Sequence, residues 1–113
     1  MPNKPSLVIY GSIGLDNVST PFGKVESVLG GSASYSAIAA SYFVKPGILS
    51  AVGEDFPQKY LETFRGKKVD LSGLTVQGKT FRWEGLYEFD MNEAKTVRVE
   101  QNTLSDFNPE IPK

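Results

Sequence analysis

Leu29-Gly30-Gly31-Ser32-Ala33-Ser34-Tyr35-Ser36-Ala37-Ile38-Ala39-Ala40 joins an extended run to a helix of small residues, and the predicted architecture is built around it. Adjacent glycines let the backbone approach a ligand closely, because no Cβ stands in the way. A helix that starts behind them would present unpaired N–H groups and the positive end of its dipole. We therefore expect a small-molecule site at Gly30 and Gly31, although a tight turn before a buried helix explains the same pattern.

Strand-like and helix-like segments alternate on both sides of the glycine pair. The apolar runs 6–10 and 48–53 predict buried strands of a parallel sheet. Ser32 is a suitable N-cap for the first helix, which should extend to about Phe43. The order strand, helix, strand indicates an α/β domain. A chain of 113 residues is long enough for one such domain.

A second helix is expected after the strand at 48–53. Asp55 can cap this helix, Pro57 fits its first turn, and Gly66 ends it. Because capping explains Asp55 fully, we do not assign this carboxylate to a site.

Polar residues follow the first strand directly. Residues 11–17 are predicted to form a loop at the carboxyl end of that strand. Open α/β sheets bind ligands outside the carboxyl ends of their strands. The loop therefore places Ser12, Gly14 and Asp16 where a ligand would be bound.

The second half of the chain has a different pattern. Residues 80–89 alternate with period two, so that aromatic residues share one face and charged residues the other. The aromatic face consists of Phe81, Trp83, Tyr87 and Phe89. Residues 96–100 return as an antiparallel strand, and 71–76 could add a further strand to this hairpin. The rings either pack on the rest of the domain as core or form a β-sheet lid over a ligand.

Composition excludes several classes of function. The formal net charge is −1 and the basic residues are scattered, so we expect no binding to nucleic acid or to a membrane. Histidine and cysteine are both absent, which excludes disulfides, thiol nucleophiles, serine–histidine hydrolases and the usual zinc sites. We predict no metal ligands in this chain. Without a signal peptide or a spanning segment, the expected location is the cytoplasm.

Residues 73–80 match the pattern G-x-x-x-x-G-K-[ST] of P-loop NTPases. That pattern cradles phosphate only between a buried strand and the start of a helix. Here the preceding segment is not a convincing buried strand, and the alternating aromatic run follows. We therefore regard a P-loop as the least favoured interpretation.

Several short motifs, taken in order, resemble the PfkB/ribokinase family of carbohydrate and nucleoside kinases over essentially the whole chain. They are Gly11-Ser12 with Asp16, Gly30-Gly31 with Ala37, Val52-Gly53-Glu54-Asp55-Phe56, Val69-Asp70-Leu71-Ser72-Gly73-Leu74 and Gly78-Lys79-Thr80. The resemblance implies a ribokinase-like α/β fold, with part of a parallel βαβ sheet layer and a small β-sheet lid. The α/β parts would lie at about 5–16 and 30–68, and the lid strands at about 17–29 and 70–102.

The resemblance also implies a site for a sugar or nucleoside. Its hydroxyls would be held by the Asp16 carboxylate and by the backbone at Gly30 and Gly31, with the lid closing over them. The substrate-binding residues expected on this basis are Ser12, Gly14, Asp16, Gly30, Gly31 and Tyr35, and the lid residues are Phe81, Trp83 and Tyr87. Polar residues of ribokinase-like members are replaced here by Gly14, Ser32 and Tyr35, which argues against ribose and leaves nucleosides and modified sugars open.

ATP and Mg²⁺ are the cofactors that the resemblance implies, but the elements that bind them are missing from this sequence. The family carries its catalytic aspartate in a G-A-G-D element, and none occurs here. We therefore expect an N-terminal portion of a kinase that has no catalytic residue of its own and is inactive alone. The alternative is a non-catalytic sugar-binding or dimerisation module. In either case the lid could form a homodimer.

Overall fold

The computed structural model describes residues 4–109, and two β-sheets organise them. In chain order the elements are β1 (Leu7–Tyr10), β2 (Gly14–Thr20), β3 (Gly23–Gly30), α1 (Ser32–Ala40), β4 (Pro46–Val52), α2 (Gln58–Gly66), β5 (Leu74–Val76), β6 (Phe81–Tyr87), β7 (Ala94–Glu100) and a 3₁₀ helix (Asn102–Ser105). One sheet has the order β1-β4-β5 and the other the order β3-β2-β6-β7. We call the first sheet with its helices the body, and the second sheet the lid.

The body is a parallel sheet with β4 at its centre. Every residue of Pro46–Val52 is buried, as its continuous apolar run predicts. Both neighbours run parallel to β4, with Ile9 opposite Ile48 and Ser50 opposite Leu74. The core packed on this sheet contains Ile13, Leu15, Ala33, Ala37, Ile48, Val52, Phe56, Phe64 and Val69. The predicted α/β class with a separate small sheet is confirmed.

The first strand differs from its prediction as a buried strand. β1 is an edge strand, and its residues Leu7, Val8 and Tyr10 are 45%, 47% and 67% exposed. The apolar composition is that of a strand covered on both sides, but only β4 pairs with it among the described residues. β1 therefore combines an unpaired backbone edge with exposed apolar side chains.

The lid is a mixed sheet in which the central strands β2 and β6 run parallel. β3 pairs antiparallel with β2, and β7 pairs antiparallel with β6. The prediction of a loop over 11–17 was wrong beyond Ile13, because Gly14–Thr20 pairs on both sides and satisfies its backbone groups in the sheet. The suggestion that 71–76 joins the hairpin was also wrong, since Leu74–Val76 pairs with β4 in the body.

Both helices are shorter than predicted. α1 ends at Ala40 rather than near Phe43, and beyond it the Tyr42 and Phe43 N–H groups donate to carbonyls three residues back, which tightens the last turn. Its N-cap is Gly31, and Ser32 is already helical. α2 has Pro57 as its N-cap, so the prediction that Asp55 caps it was wrong. Neither of these nine-residue helices in the described part of the chain is long and apolar enough to cross a membrane.

The predicted hairpin forms with slightly different bounds. Its strands are Phe81–Tyr87 and Ala94–Glu100, instead of 80–89 and 96–100. Phe89 therefore lies beyond the strand, where it is 85% exposed, and it does not belong to the aromatic face.

Candidate functional site

Asp16 and Gly30 lie in direct contact at the base of the lid. Asp16 is the third residue of β2, and Gly30 is the last residue of β3. The carboxylate covers the Gly30 backbone so closely that a Cβ at position 30 would lie 2.1 Å from Oδ2 and 2.6 Å from Oδ1. Glycine is therefore required here by the close approach of an acidic side chain.

Within the part of the chain that the structure describes, the Asp16 carboxylate is partly buried and has no hydrogen-bond donor. No side chain or backbone N–H of residues 4–109 gives it a hydrogen bond, and burial raises the pKa of this carboxyl above its usual value. Partly buried carboxylates are normally hydrogen-bonded, because losing water without a replacement partner is costly. Both carboxylate oxygens are therefore free to accept hydrogen bonds from water or from a bound molecule.

The neighbouring turn at Gly31 connects the lid to α1. Gly31 has φ of 96°, a conformation that favours glycine, and a Cβ there would lie 2.4 Å from the Ser12 carbonyl oxygen. Ser12 also satisfies the start of α1: its Oγ accepts from the Ser32 N–H at 3.1 Å and its carbonyl accepts from the Ala33 N–H at 2.8 Å. The expectation that the first N–H groups of this helix are unpaired was therefore wrong for these two.

Aromatic residues of β6 share the lid face on which Asp16 lies. The parallel register places Gly14 beside Phe81 and Asp16 beside Trp83, and paired residues point to the same side of a sheet. The Phe81 ring lies over Gly14, where a Cβ would meet its Cδ2 atom at 2.7 Å. Phe81 and Trp83 are therefore brought to the same surface as the carboxylate.

The Trp83 indole is held flat along the lid. A Cβ at Gly85 would lie 1.9 Å from its Cη2 atom, and its Nε1–H donates to Thr96 Oγ1 at 3.1 Å. Tyr87 ends the same strand and is half-buried. The lid face thus carries fixed apolar ring surface next to one unpaired acid.

The Tyr35 side chain is not brought into contact with the other predicted residues. It lies in the first turn of α1 and is 65% exposed; its backbone N–H donates to the Gly31 carbonyl at 3.4 Å, but its side chain makes no hydrogen bond or ring contact within residues 4–109. Of the predicted site, the structure therefore groups Ser12, Gly14, Asp16, Gly30 and Gly31 with Phe81 and Trp83, and leaves the Tyr35 side chain exposed.

A second group of polar residues lies behind the lid, and the sequence reasoning missed it. Asp55 accepts hydrogen bonds from both the N–H and the Oγ1 of the fully buried Thr80, each at 2.8 Å, and its Oδ2 lies 3.4 Å from Arg82 Nη2. Burial alone would raise the pKa of Asp55, but the Thr80 hydrogen bonds and the Arg82 guanidinium outweigh it and lower the pKa. The alternating pattern predicted that Arg82 lies on the face opposite the aromatic residues, but it did not predict the contact with Asp55.

Residues 73–80 do not form a phosphate-binding loop. Leu74–Val76 is strand β5, and the segment passes into β6 rather than into a helix. Thr80, which would be the metal-binding position of such a loop, is buried against Asp55 and the Gly53 N–H. The arrangement lacks the helix start that a P-loop needs.

A comparison with curated proteins finds one relative with clear similarity. The chain is 30% identical over 86 residues to a cytidine kinase of Thermococcus kodakarensis, and the match covers 74% of this chain and 31% of the relative. No protein-family model matches the chain.

Solved structures give the fold. A nucleoside kinase of Burkholderia thailandensis in complex with inosine superposes with a TM-score of 0.76 at 18% identity, over 89% of this chain and 37% of that one. The nucleoside kinase of Methanocaldococcus jannaschii, an archaeal member of the ribokinase family, gives 0.73 at 20% identity, over 93% and 40%. Ribokinase of Cryptococcus neoformans in complex with ADP gives 0.70 at 18% identity, over 86% and 35%.

These matches confirm the resemblance to the PfkB/ribokinase family and show that the chain has the ribokinase-like fold. The chain spans 31% of the curated relative and 35% to 40% of these three structures.

Proposed function

Because the chain has the ribokinase-like fold, we propose that it is the N-terminal portion of an ATP-dependent kinase that phosphorylates a hydroxyl of a sugar or nucleoside. In this proposal residues 1–113 supply the acceptor-binding side and the lid. The observation that supports it best is the partly buried Asp16 carboxylate, which has no donor within residues 4–109 and lies on the aromatic face of the lid.

The chemistry of the site suits a polyol. An ionised carboxylate has two oxygens that accept hydrogen bonds, and two adjacent hydroxyls of a sugar ring match their spacing. Hydrogen bonds to a charged group are stronger than neutral ones, so this pair fixes the orientation of the ring. Phe81 and Trp83 would exclude water from one side of the bound molecule, and a nucleoside base could pack against them.

ATP and Mg²⁺ do not fit the residues that the structure describes. Within residues 73–80, Leu74–Val76 is a strand, and strand β6 rather than a helix follows at Phe81. The Ser32 and Ala33 N–H groups at the start of α1 are taken by Ser12, and no cluster of three or more acidic residues is found within 4–109. We therefore assign no step of phosphoryl transfer to this chain, and place the nucleotide, the metal and the catalytic base in further polypeptide of the kinase.

The open edge of the body supports the proposal that the kinase includes further polypeptide. β1 is an edge strand whose Leu7, Val8 and Tyr10 side chains are exposed, and the turn after α1 exposes Tyr42 and Phe43. A parallel sheet normally has both faces and its central strands covered. Further strands of the body would continue the sheet from β1 and cover these residues.

Calorimetric titration with cytidine, inosine and D-ribose tests the proposal. We expect at least one of these compounds to bind, and Asp16→Ala to weaken binding by about 2–5 kcal/mol, or roughly 30-fold to 5,000-fold. The matched control is Asp90→Ala, which removes an acid from the loop after β6. The 2′,3′-dideoxy analogue of cytidine should bind wild type as weakly as cytidine binds the Asp16 variant. Equal affinity of wild type and Asp16→Ala would contradict the assignment.

A homodimer through the lid is a second proposal, supported by a different observation. The outer strands β3 and β7 expose Val25, Val97 and Val99, which are 49%, 60% and 47% exposed. Strand edges with exposed apolar residues are favourable for pairing with a second copy. Sedimentation with and without the same three compounds distinguishes a kinase portion from a non-catalytic dimerisation module. A dimer that binds none of the compounds would favour the module. A monomer at all concentrations would rule the dimer out.

A further inference from the structure

The strand β3 contains a bulge that determines what lies next to Asp16. Two consecutive residues of β3, the second being Ser27, face the single residue Asn17 of β2. Ser27 has φ of 51°. An inserted residue changes which face the later residues of a strand point to. With the bulge, Gly30 lies on the Asp16 face, whereas an uninterrupted register would place the side chain of Leu29 there.

Three hydrogen bonds from three different elements fix the bulge. The Ser27 N–H donates to Asn17 Oδ1 at 2.8 Å, and the Tyr60 hydroxyl of α2 donates to the Ser27 carbonyl at 2.9 Å. The third is donated by Arg82 Nη1 of β6 to Ser27 Oγ at 3.1 Å. Serine at positive φ is strained, so the bulge needs such external contacts to persist.

Arg82 joins this bulge to the body. Its Nη2 lies 3.4 Å from Asp55 Oδ2, while Asp55 is itself fixed by the two hydrogen bonds from buried Thr80. One planar guanidinium therefore links the loop before α2 to the bulge of β3. A lysine could not reach both partners at once, since it presents a single point of charge. Arg82 lies on the opposite lid face from Asp16 and cannot itself touch a ligand bound there.

We infer that Arg82 is a positioning residue for the acceptor site: through Ser27 it holds the bulge that places Gly30 against Asp16. The expected loss of ligand affinity rests on the proposed function, whereas the effect of Arg82 on the position of Gly30 follows from the bulge alone. Arg82 acts through other residues and is not a catalytic residue.

The test uses the full chain, with Arg82→Gln and Arg82→Lys as variants and Arg98→Gln as the matched control. Arg98 lies on the neighbouring strand β7, with its side chain 68% exposed in an ion pair to Glu100. The first readout is the amide NMR shift of Gly30 and Gly31 without any ligand. We expect both Arg82 variants to shift these two amides and Arg98→Gln to leave them unchanged. Unshifted glycine amides in folded Arg82 variants would overturn the inference.

The second readout is cytidine affinity, measured by calorimetry. Loss of one fixed hydrogen bond behind the site should weaken binding about tenfold in Arg82→Gln, with no rescue by Arg82→Lys. Ser27→Gly separates positioning from folding, because glycine adopts the positive φ without strain and removes the hydroxyl that Arg82 contacts. In this background the bulge no longer needs Arg82, so Arg82→Gln should cause no further loss of cytidine affinity. A further tenfold loss from Arg82→Gln in the Ser27→Gly background would overturn the inference.

The two proposals fail in different ways. If wild type binds neither cytidine, inosine nor ribose, the proposed function fails and the glycine amide shifts still decide the role of Arg82. If Asp16→Ala loses cytidine binding while Arg82→Gln keeps it, the function stands and the positioning role is refuted.

Discussion

Gly30→Ala isolates the contact between Asp16 and Gly30, because it adds one methyl group at the place where the carboxylate lies. The new Cβ would be 2.1 Å from Oδ2, 2.4 Å from Cγ and 2.6 Å from Oδ1. Ordinary contact between such atoms begins at about 3.4 Å, so the carboxylate must move by about 1 Å or rotate away. The backbone of Gly30 does not have a positive φ, so alanine itself fits the strand.

The displacement should affect binding far more than folding. A misplacement of about 1 Å in a positioning group can cost about 100-fold, which corresponds to about 2.7 kcal/mol. The free energy of unfolding should fall by about 1 kcal/mol, the lower end of the cost of overpacking, because a side-chain terminus rather than backbone must give way. Calorimetric titration with cytidine and urea unfolding measure the two quantities separately.

The matched control is Gly66→Ala, where a Cβ meets nothing within 4 Å at the exposed end of α2. It should keep full affinity and gain up to about 1 kcal/mol of stability from reduced backbone entropy. In the Asp16→Ala background, Gly30→Ala should have no further effect on binding, because it acts only through that carboxylate. Gly30→Ala that binds cytidine within threefold of wild type would refute the reasoning.

Three further predictions concern the same region. Asp16→Asn should raise the free energy of unfolding at neutral pH, because burial raises the pKa of Asp16 in the folded chain and ionisation therefore opposes folding. The difference from wild type, measured by urea unfolding, should disappear as pH falls below 3.8, the pKa in the unfolded chain. Gly31→Ala should destabilise by roughly 2–5 kcal/mol, since alanine is disfavoured at φ of 96° and would collide with the Ser12 carbonyl; unfolding within 1 kcal/mol of wild type would contradict this. Gly85→Ala should displace the indole of Trp83, the single tryptophan, and change the fluorescence emission of the folded chain; an unchanged spectrum would contradict the packing.

Much of the fold follows from local patterns that a single sequence displays. The continuous apolar run at 48–53 is typical of a central parallel strand, and the structure places β4 there with all residues buried. The period-two aromatic run gave β6, because alternation survives in any half-covered strand. The glycine pair marked the turn into α1, and Gly31 has the positive φ that such a turn requires.

The remainder depends on partners that are remote in the chain. Nothing local marks Gly14–Thr20 as a strand, since its stability comes from pairing on both sides with β3 and β6. Asp55 has the local sequence pattern of a helix cap, but its carboxylate binds Thr80 and Arg82 instead of the helix N-terminus. The bulge at Ser27 shows no signal, because serine rarely adopts positive φ and does so here only under three long-range hydrogen bonds.

The parallel pairing of β2 with β6 governs the order in which the chain assembles. Gly14 pairs with Phe81, and the polypeptide between them contains α1, β4, α2 and β5. Closing so large a loop is entropically expensive, so it follows the formation of the shorter-range βα units. On the ribosome, the β2–β3 hairpin therefore keeps one edge of β2 unpaired until β6 has been synthesised, and an unpaired strand edge is a site for association with other chains.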